Sequence, residues 1–134
     1  MTYDYDQTLA MLQEIVDRIG LDTLYEDIRA IDLSGVREGA CFNVHKRNDG
    51  TVVPGCIVGR LVVDHLHIDP NDIWEGYASS SSYTLMHWVE GEYGHSFSKD
   101  ALELLELVQN HQDNGRTWGE ALYIAHGKLR PNSL

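Results

Sequence analysis

Cys56, the imidazoles of His45, His65 and His67, and a cluster of aromatic and acidic residues between 72 and 95 are the side chains best suited to chemistry. Cys56 follows Pro54-Gly55 and opens an apolar run to Leu66 that reads as a helix. A thiol at a helix N-terminus is a candidate nucleophile, because the positive end of the helix dipole stabilises the thiolate. It would also need a base. His45 lies across an expected hairpin near Pro54, and His87 or His95 would come from the other half of the chain. The run that Cys56 begins is equally that of a buried core thiol, and this is the favoured reading. A small Cys56-dependent hydrolase or transferase is therefore an alternative only, and a non-enzymatic protein is expected.

His65-x-His67-x-Asp69 resembles the first half of the metal-binding signature of metallo-β-lactamase-like hydrolases. That signature needs a further His after the Asp, a preceding strand and a longer two-sheet scaffold. Here Pro70 follows and a helix precedes. The residues then have ordinary tasks: His65 on a last helical turn, His67 at its end and Asp69 capping the next helix with Pro70 at its first position. No metal is expected. The chain also lacks a Gly-rich phosphate loop, a zinc-like Cys pattern, a Ser-His-Asp elbow and a dinucleotide fingerprint, so no cofactor is expected. Trp74, Tyr77, Tyr83, Trp88 and Tyr93 lie with Glu75, Glu90 and Glu92 in the least regular part of the chain. Aromatics in such a stretch suit a contact surface, although Trp74 and Trp88 could equally close the core.

The elements that must position these residues centre on 41–69, where apolar periodicity changes from two to about 3.6. Asp49-Gly50 is a two-residue hairpin signal. Pairing Asn48 with Thr51 puts Phe42, Val44, Thr51 and Val53 on one face and sets Asn43 opposite Cys56, so Cys41 and Cys56 are expected as free thiols. A helix from about Gly55 to Leu66 buries Ile57, Leu61, Val62 and Leu66, and Gly55 and Gly59 allow a close neighbour. Upstream, Leu9, Leu12, Val16 and Ile19 define a helix over 6–19 ended by Gly20, with Leu21 folding back on Val16. Asp22 opens a shorter helix to about Ala30. Downstream, 83–89 fits a helix ended by Gly91, the preferred reading, while Tyr83, Leu85, His87 and Val89 also alternate as in a strand, and Ser98 caps a helix to about Gln112 with Phe97 stapled to Leu102. Thr117 and Glu120 form a capping box for a last helix to about His126. The expected fold is α+β: one mostly helical domain over 1–134, with a hairpin at about 41–53 packed on a helical bundle. Within it, 1–38 is an acidic helical pair and 39–125 the core.

The net charge is −11 and is uneven: 1–38 carry nine acids and three bases, 71–110 seven and one, while 39–70 are balanced. Direct nucleic-acid binding needs clustered Lys and Arg and is not expected. Solubility is the ordinary role of such charge, and a surface for a basic partner, or one that imitates a nucleic-acid backbone, is the sharper one. No apolar stretch suits a membrane span and the N-terminus lacks the layout of a secretory signal, so a cytoplasmic protein is expected.

Cys41-Phe42, the run Pro54-Gly55-Cys56-Ile57-Val58-Gly59, Phe97-Ser98, Gln112-Asp113-Asn114-Gly115 and Thr117-Trp118-Gly119-Glu120-Ala121-Leu122 together resemble a group of small, functionally uncharacterised proteins encoded by actinobacteria and their phages. The resemblance covers about 39–125 and transfers no activity. It implies an accessory protein, bacterial or phage-borne, acting in the host cytoplasm. The leading expectation is thus an interaction module that binds a host or phage protein through the acidic and aromatic surface near 72–95. An acidic DNA mimic that occupies a nucleic-acid-binding protein is the alternative.

Overall fold

A computed structural model describes residues 2–24, 33–34 and 42–133. The chain is mostly helical with a small antiparallel sheet, an α+β fold as the periodicity implies. Its elements run β1 (Thr2–Tyr3), α1 (Tyr5–Ile19), β2 (Leu33–Ser34), β3 (Val44–Arg47), β4 (Val52–Pro54), α2 (Ile57–Arg60), α3 (Pro70–Gly76), α4 (Ser82–Tyr93), β5 (Ser96–Phe97), α5 (Lys99–Asp113) and α6 (Trp118–Leu129). A π-helical stretch, Leu61–His65, continues α2. Most of the helix expected over 22–30, and Cys41, lie outside the described residues.

Helix boundaries follow local capping chemistry. Asp4 caps α1 by accepting from the Gln7 amide while the Gln7 side chain accepts from Asp4 N–H. Ser98 accepts from Ala101 N–H at the start of α5, and the Thr117/Glu120 capping box opens α6 as its spacing predicts. Asp69 caps α3, with Pro70 at its first position. Inward faces follow the 3.6 period. Ala101, Leu104, Leu105 and Val108 of α5 and Trp118, Leu122 and Ala125 of α6 are buried, and these two helices make the most extensive helix pair. Burying each large apolar side chain stabilises the fold by about 1.5–3 kcal/mol.

Two boundaries and the form of one helix ending differ from the sequence reading. Gly91 lies inside α4, which runs on to Gly94 in the left-handed conformation (φ 74°), and α6 continues past Gly127 to Leu129. Gly20 ends α1, as expected, but at φ 118°, ψ 131°, outside the left-handed helical geometry of a Schellman turn, and Leu21 stands 56% exposed beside Gly119. The chain instead turns towards α6, where the carbonyls of Leu21 and Thr23 accept from Gly119 and Trp118 N–H at 2.9 Å each. Two amides that a helix N-terminus leaves orphaned are thereby satisfied.

The sheet order is β2-β3-β4, all antiparallel, and a two-residue parallel ladder joins β1 to β5. The hairpin register is one residue away from the expected one. Arg47 rather than Asn48 faces Thr51 (N–H to O, 2.8 Å), and Gly50, at φ 90°, donates to the Arg47 carbonyl at 2.9 Å. Gly50 supplies the positive φ that this longer turn needs. Because side chains alternate, the shift turns β4 over. Val44 and Val52 now share a buried face, Thr51 is exposed, and Val53 stands opposite His45.

Helix α2 runs directly off β4. Gly55 and Cys56 N–H donate to the carbonyls of Asn43 and Phe42 at 2.8 and 2.9 Å, prolonging the ladder to the helix start. Gly59 lies against Asn43 so closely that an added Cβ would fall on the Asn43 carbonyl, and at Gly55 it would fall on that of Phe42. The glycines serve close backbone packing, as their spacing implies. The wider π turn carries Asp64 and His65 over α1, where Arg18 reaches Asp64 at 2.7 Å and Glu14 meets both Arg18 (2.9 Å) and His65 (2.8 Å).

Candidate functional site

Cys56 is the N-cap of α2, as its position implies, yet it is 1% exposed and its Sγ donates to Asn43 Oδ1 at 3.4 Å. Burial pushes its thiol up to about 12, opposite to the direction a helix N-terminus alone would give. The helix end is also already occupied. Gln112 Oε1 accepts from Ile57 N–H at 3.0 Å and Gln109 Oε1 from Val58 N–H at 3.5 Å, both glutamines being buried on the inner side of α5. Two amide oxygens thus take the first two amides of the helix, while hydrogen bonds from Gly59 N–H and the Gln109 side chain lower the thiol's pKa by less than burial raises it. Of the proposed bases, His45 is buried with its ring parallel to Phe42 at 5.6 Å, His95 Nδ1 bonds Tyr3 Oη at 3.2 Å, and His87 stacks on Tyr83 at 6.4 Å.

The residues of the metal-like motif are separated by their tasks. His65 Nε2 pairs with Glu14, His67 is exposed at φ 59°, and Asp69 Oδ1 accepts from both the backbone and side-chain nitrogens of Asn71 at 2.9 Å. Among the described residues no group of three or more His, Cys, Asp or Glu is placed to hold a metal ion.

The aromatic cluster divides into a group of rings tied to one another, of which Tyr93 is still 40% exposed, and one outer ring. Tyr77 stacks on Trp88 at 4.6 Å, Trp88 meets Tyr93 edge-on at 5.4 Å, and Tyr93 Oη donates to Asp72 at 3.0 Å. Partial burial and then that bond raise the Tyr93 phenol above its ordinary value. Trp74 is half-buried beneath the Lys46 ammonium, 5.8 Å from the ring centroid. These contacts fasten α3 to α4 and to the hairpin. Tyr83 is the outer part: it is 69% exposed, on the flank of α4 that also carries His87 and Glu90 at helical spacing. Glu92 and Trp88 occupy the opposite flank, so the residues singled out from the sequence do not form one continuous face.

Beside Tyr83 opens a polar cleft of about 410 Å³. Asn43 and Cys56 form its floor, residues 79–82 one wall, and Glu106, Asn110 and Asp113 of α5 the other. A mainly apolar notch of about 190 Å³, walled by Met86, Leu102 and Leu105 and also lined by Lys99 and Glu103, adjoins it and shares Ser82, Tyr83 and Glu106. The wall on α5 was readable in part, since Glu103, Glu106, Asn110 and Asp113 recur every three or four residues on the side away from the core. Their convergence with the serine run was not, because it depends on tertiary packing. Compared with models of known families, with curated proteins and with solved structures, the chain matches none.

Proposed function

We propose that the protein is a non-enzymatic interaction module that binds a basic protein through the acidic surface around α4. The observation that carries this reading is Tyr83, a large aromatic side chain left 69% exposed, where the inner aromatics are held by α3 and α4. Around it the exposed charges are mainly acidic, with Glu90 on its own helix and Glu103 and Glu106 across the cleft against one cation, Lys99, among the residues lining the notch. Amphipathic aromatic rings on a scaffolded surface are typical interface anchors, and surrounding carboxylates steer a basic partner. The high thiol pKa of Cys56 and the contacts that hold His65 on Glu14 and His95 on Tyr3 weigh against the cysteine-dependent alternative. A DNA mimic would repeat carboxylates at phosphate spacing along one face, whereas the outer stripe of α5 is interrupted by Asn110 and begins with Lys99. On the motif resemblance read from the sequence alone, the partner we propose is a host or phage protein in the bacterial cytoplasm.

Charge reversal tests the surface. Glu90→Lys with Glu92→Lys should weaken capture of the partner from host lysate by about tenfold or more at low salt, with thermal unfolding unchanged, since both side chains are exposed. Capture equal to that of the wild type would count against this surface.

A further inference from the structure

We propose that the α4–α5 groove docks a protein segment in which a Lys or Arg stands next to an apolar residue, the cation entering the polar half and the apolar side chain the notch. This rests on the interaction-module reading and names its site and the chemistry of its partner.

The polar half, at about 410 Å³, is within the range of pockets that enclose small ligands or side chains. Glu106 and Asp113 line it, and no lysine or arginine does. Asp113 spends one oxygen on Gln109 Nε2 at 2.8 Å, and the Glu106 carboxylate makes no hydrogen bond to any described residue. Ser82 gives an independent indication of a ligand. It is 7% exposed, lines both halves of the groove, and its hydroxyl makes no hydrogen bond to any described residue. The hydroxyl is not among the fully buried unpaired atoms of the described residues, so it opens to the cleft, where a donor that enters can bond it. Tyr83 stands where the halves meet, presenting a ring that suits both the face of a cation and an aliphatic stem.

An anion is disfavoured at this place. The carboxylates repel it, the first amides of α2 are taken by Gln112 and Gln109, and Ser81 caps α4. A free cation would satisfy the polar half alone. Met86, Leu102 and Leu105 in the adjoining notch ask for an apolar group at side-chain distance from the charge, which adjacent residues of a polypeptide supply.

The test is a titration of the ¹⁵N-labelled full chain into the millimolar range with four probes: the acetylated, amidated tetrapeptides Gly-Arg-Leu-Gly, Gly-Glu-Leu-Gly and Gly-Arg-Ser-Gly, and agmatine as the free cation. The Arg-Leu probe should shift the amides of 79–83 and 103–113 saturably. The Glu-Leu probe should leave them unmoved, and the Arg-Ser probe and agmatine should bind several-fold more weakly. Glu106→Gln with Asp113→Asn should weaken the Arg-Leu probe about tenfold or more, because charge-assisted bonds become neutral ones. The amide oxygen introduced at 113 can still accept from Gln109, and an unchanged melting temperature would verify the fold. Equal affinity for agmatine, or binding indifferent to the carboxylates, would overturn the proposal. Shifts confined to the Trp88 and Glu92 flank would remove the groove while leaving the interaction module standing. If neither this double variant nor Glu90→Lys with Glu92→Lys alters lysate capture, the interaction reading falls with it.

Discussion

Gly59→Ala should abolish folding or lower stability by about 3 kcal/mol or more, measured as a shift in the midpoint of urea unfolding. The new methyl group would occupy the position of the Asn43 carbonyl, which is backbone and already accepts from Gly55 N–H. Relief would require separating α2 from the hairpin, and so breaking the ladder that continues through Gly55 and Cys56. The effect is expected despite alanine's better helix propensity, which alone would stabilise by about 1 kcal/mol. Gly91 is the control. It lies inside α4 with no atom within 4 Å of an added Cβ, so Gly91→Ala should raise the midpoint by the propensity gain of about 0.5–1 kcal/mol. A Gly59→Ala protein as stable as the wild type would mean that helix and hairpin are not in backbone contact.

Asn43→Ala should cost about 2–4 kcal/mol, the second large effect, because three segments meet on this buried side chain. Its Nδ2 donates to the carbonyls of Tyr77 and Ser80 at 2.9 and 3.0 Å, its Oδ1 accepts from Cys56, and its backbone N–H donates to the Ala78 carbonyl at 2.7 Å. Truncation leaves the two carbonyls and the thiol without these partners, and it frees the serine wall of the cleft from the hairpin. Asn43→Asp sharpens the test. The introduced carboxylate would face two carbonyl oxygens, so folding would raise its pKa above the unfolded value of about 3.9. Such a group binds its proton more tightly in the folded state, and its destabilisation grows as pH rises above the unfolded pKa. The deficit of Asn43→Asp against the wild type should therefore be larger at neutral pH than near pH 4, while that of Asn43→Ala should change little.

Much of this architecture is legible where the physics is local. Ser98, Thr117 with Glu120, and Asp69-Pro70 mark helix starts because a side chain three residues or fewer away satisfies an orphaned amide, and those starts stand in the structure. The core faces of α5 and α6 follow from period alone. The hairpin was found but its register was not, since Asn48-Asp49-Gly50 offers turn chemistry for both the shorter and the longer loop, and the choice depends on which valines can be buried together. Likewise Gly91 and Gly94 are both possible helix ends, and packing selected the later one. The surroundings of Cys56 were least legible. The glutamines that fill the helix end come from α5, far along the chain, where Gln109 and Gln112 read as ordinary polar residues near a helix terminus. Trp88 and Tyr77 could not be distinguished from Tyr83 for the same reason: only the packing of α3 on α4 decides which rings are held inside.

The molecule joins a junction whose reactive side chains are buried or bonded, Asn43 and Cys56 forming the floor of the cleft, to an acidic groove above it left for a partner. Labelling of Cys56 by a small neutral thiol reagent near pH 7.5, followed on its own peptide by mass spectrometry across a urea series, tests that arrangement most directly. The account predicts negligible labelling of the native protein, rising only as urea unfolds it, because burial holds the thiol far above neutrality. Rapid labelling in the absence of denaturant would contradict it and return Cys56 to the list of working residues.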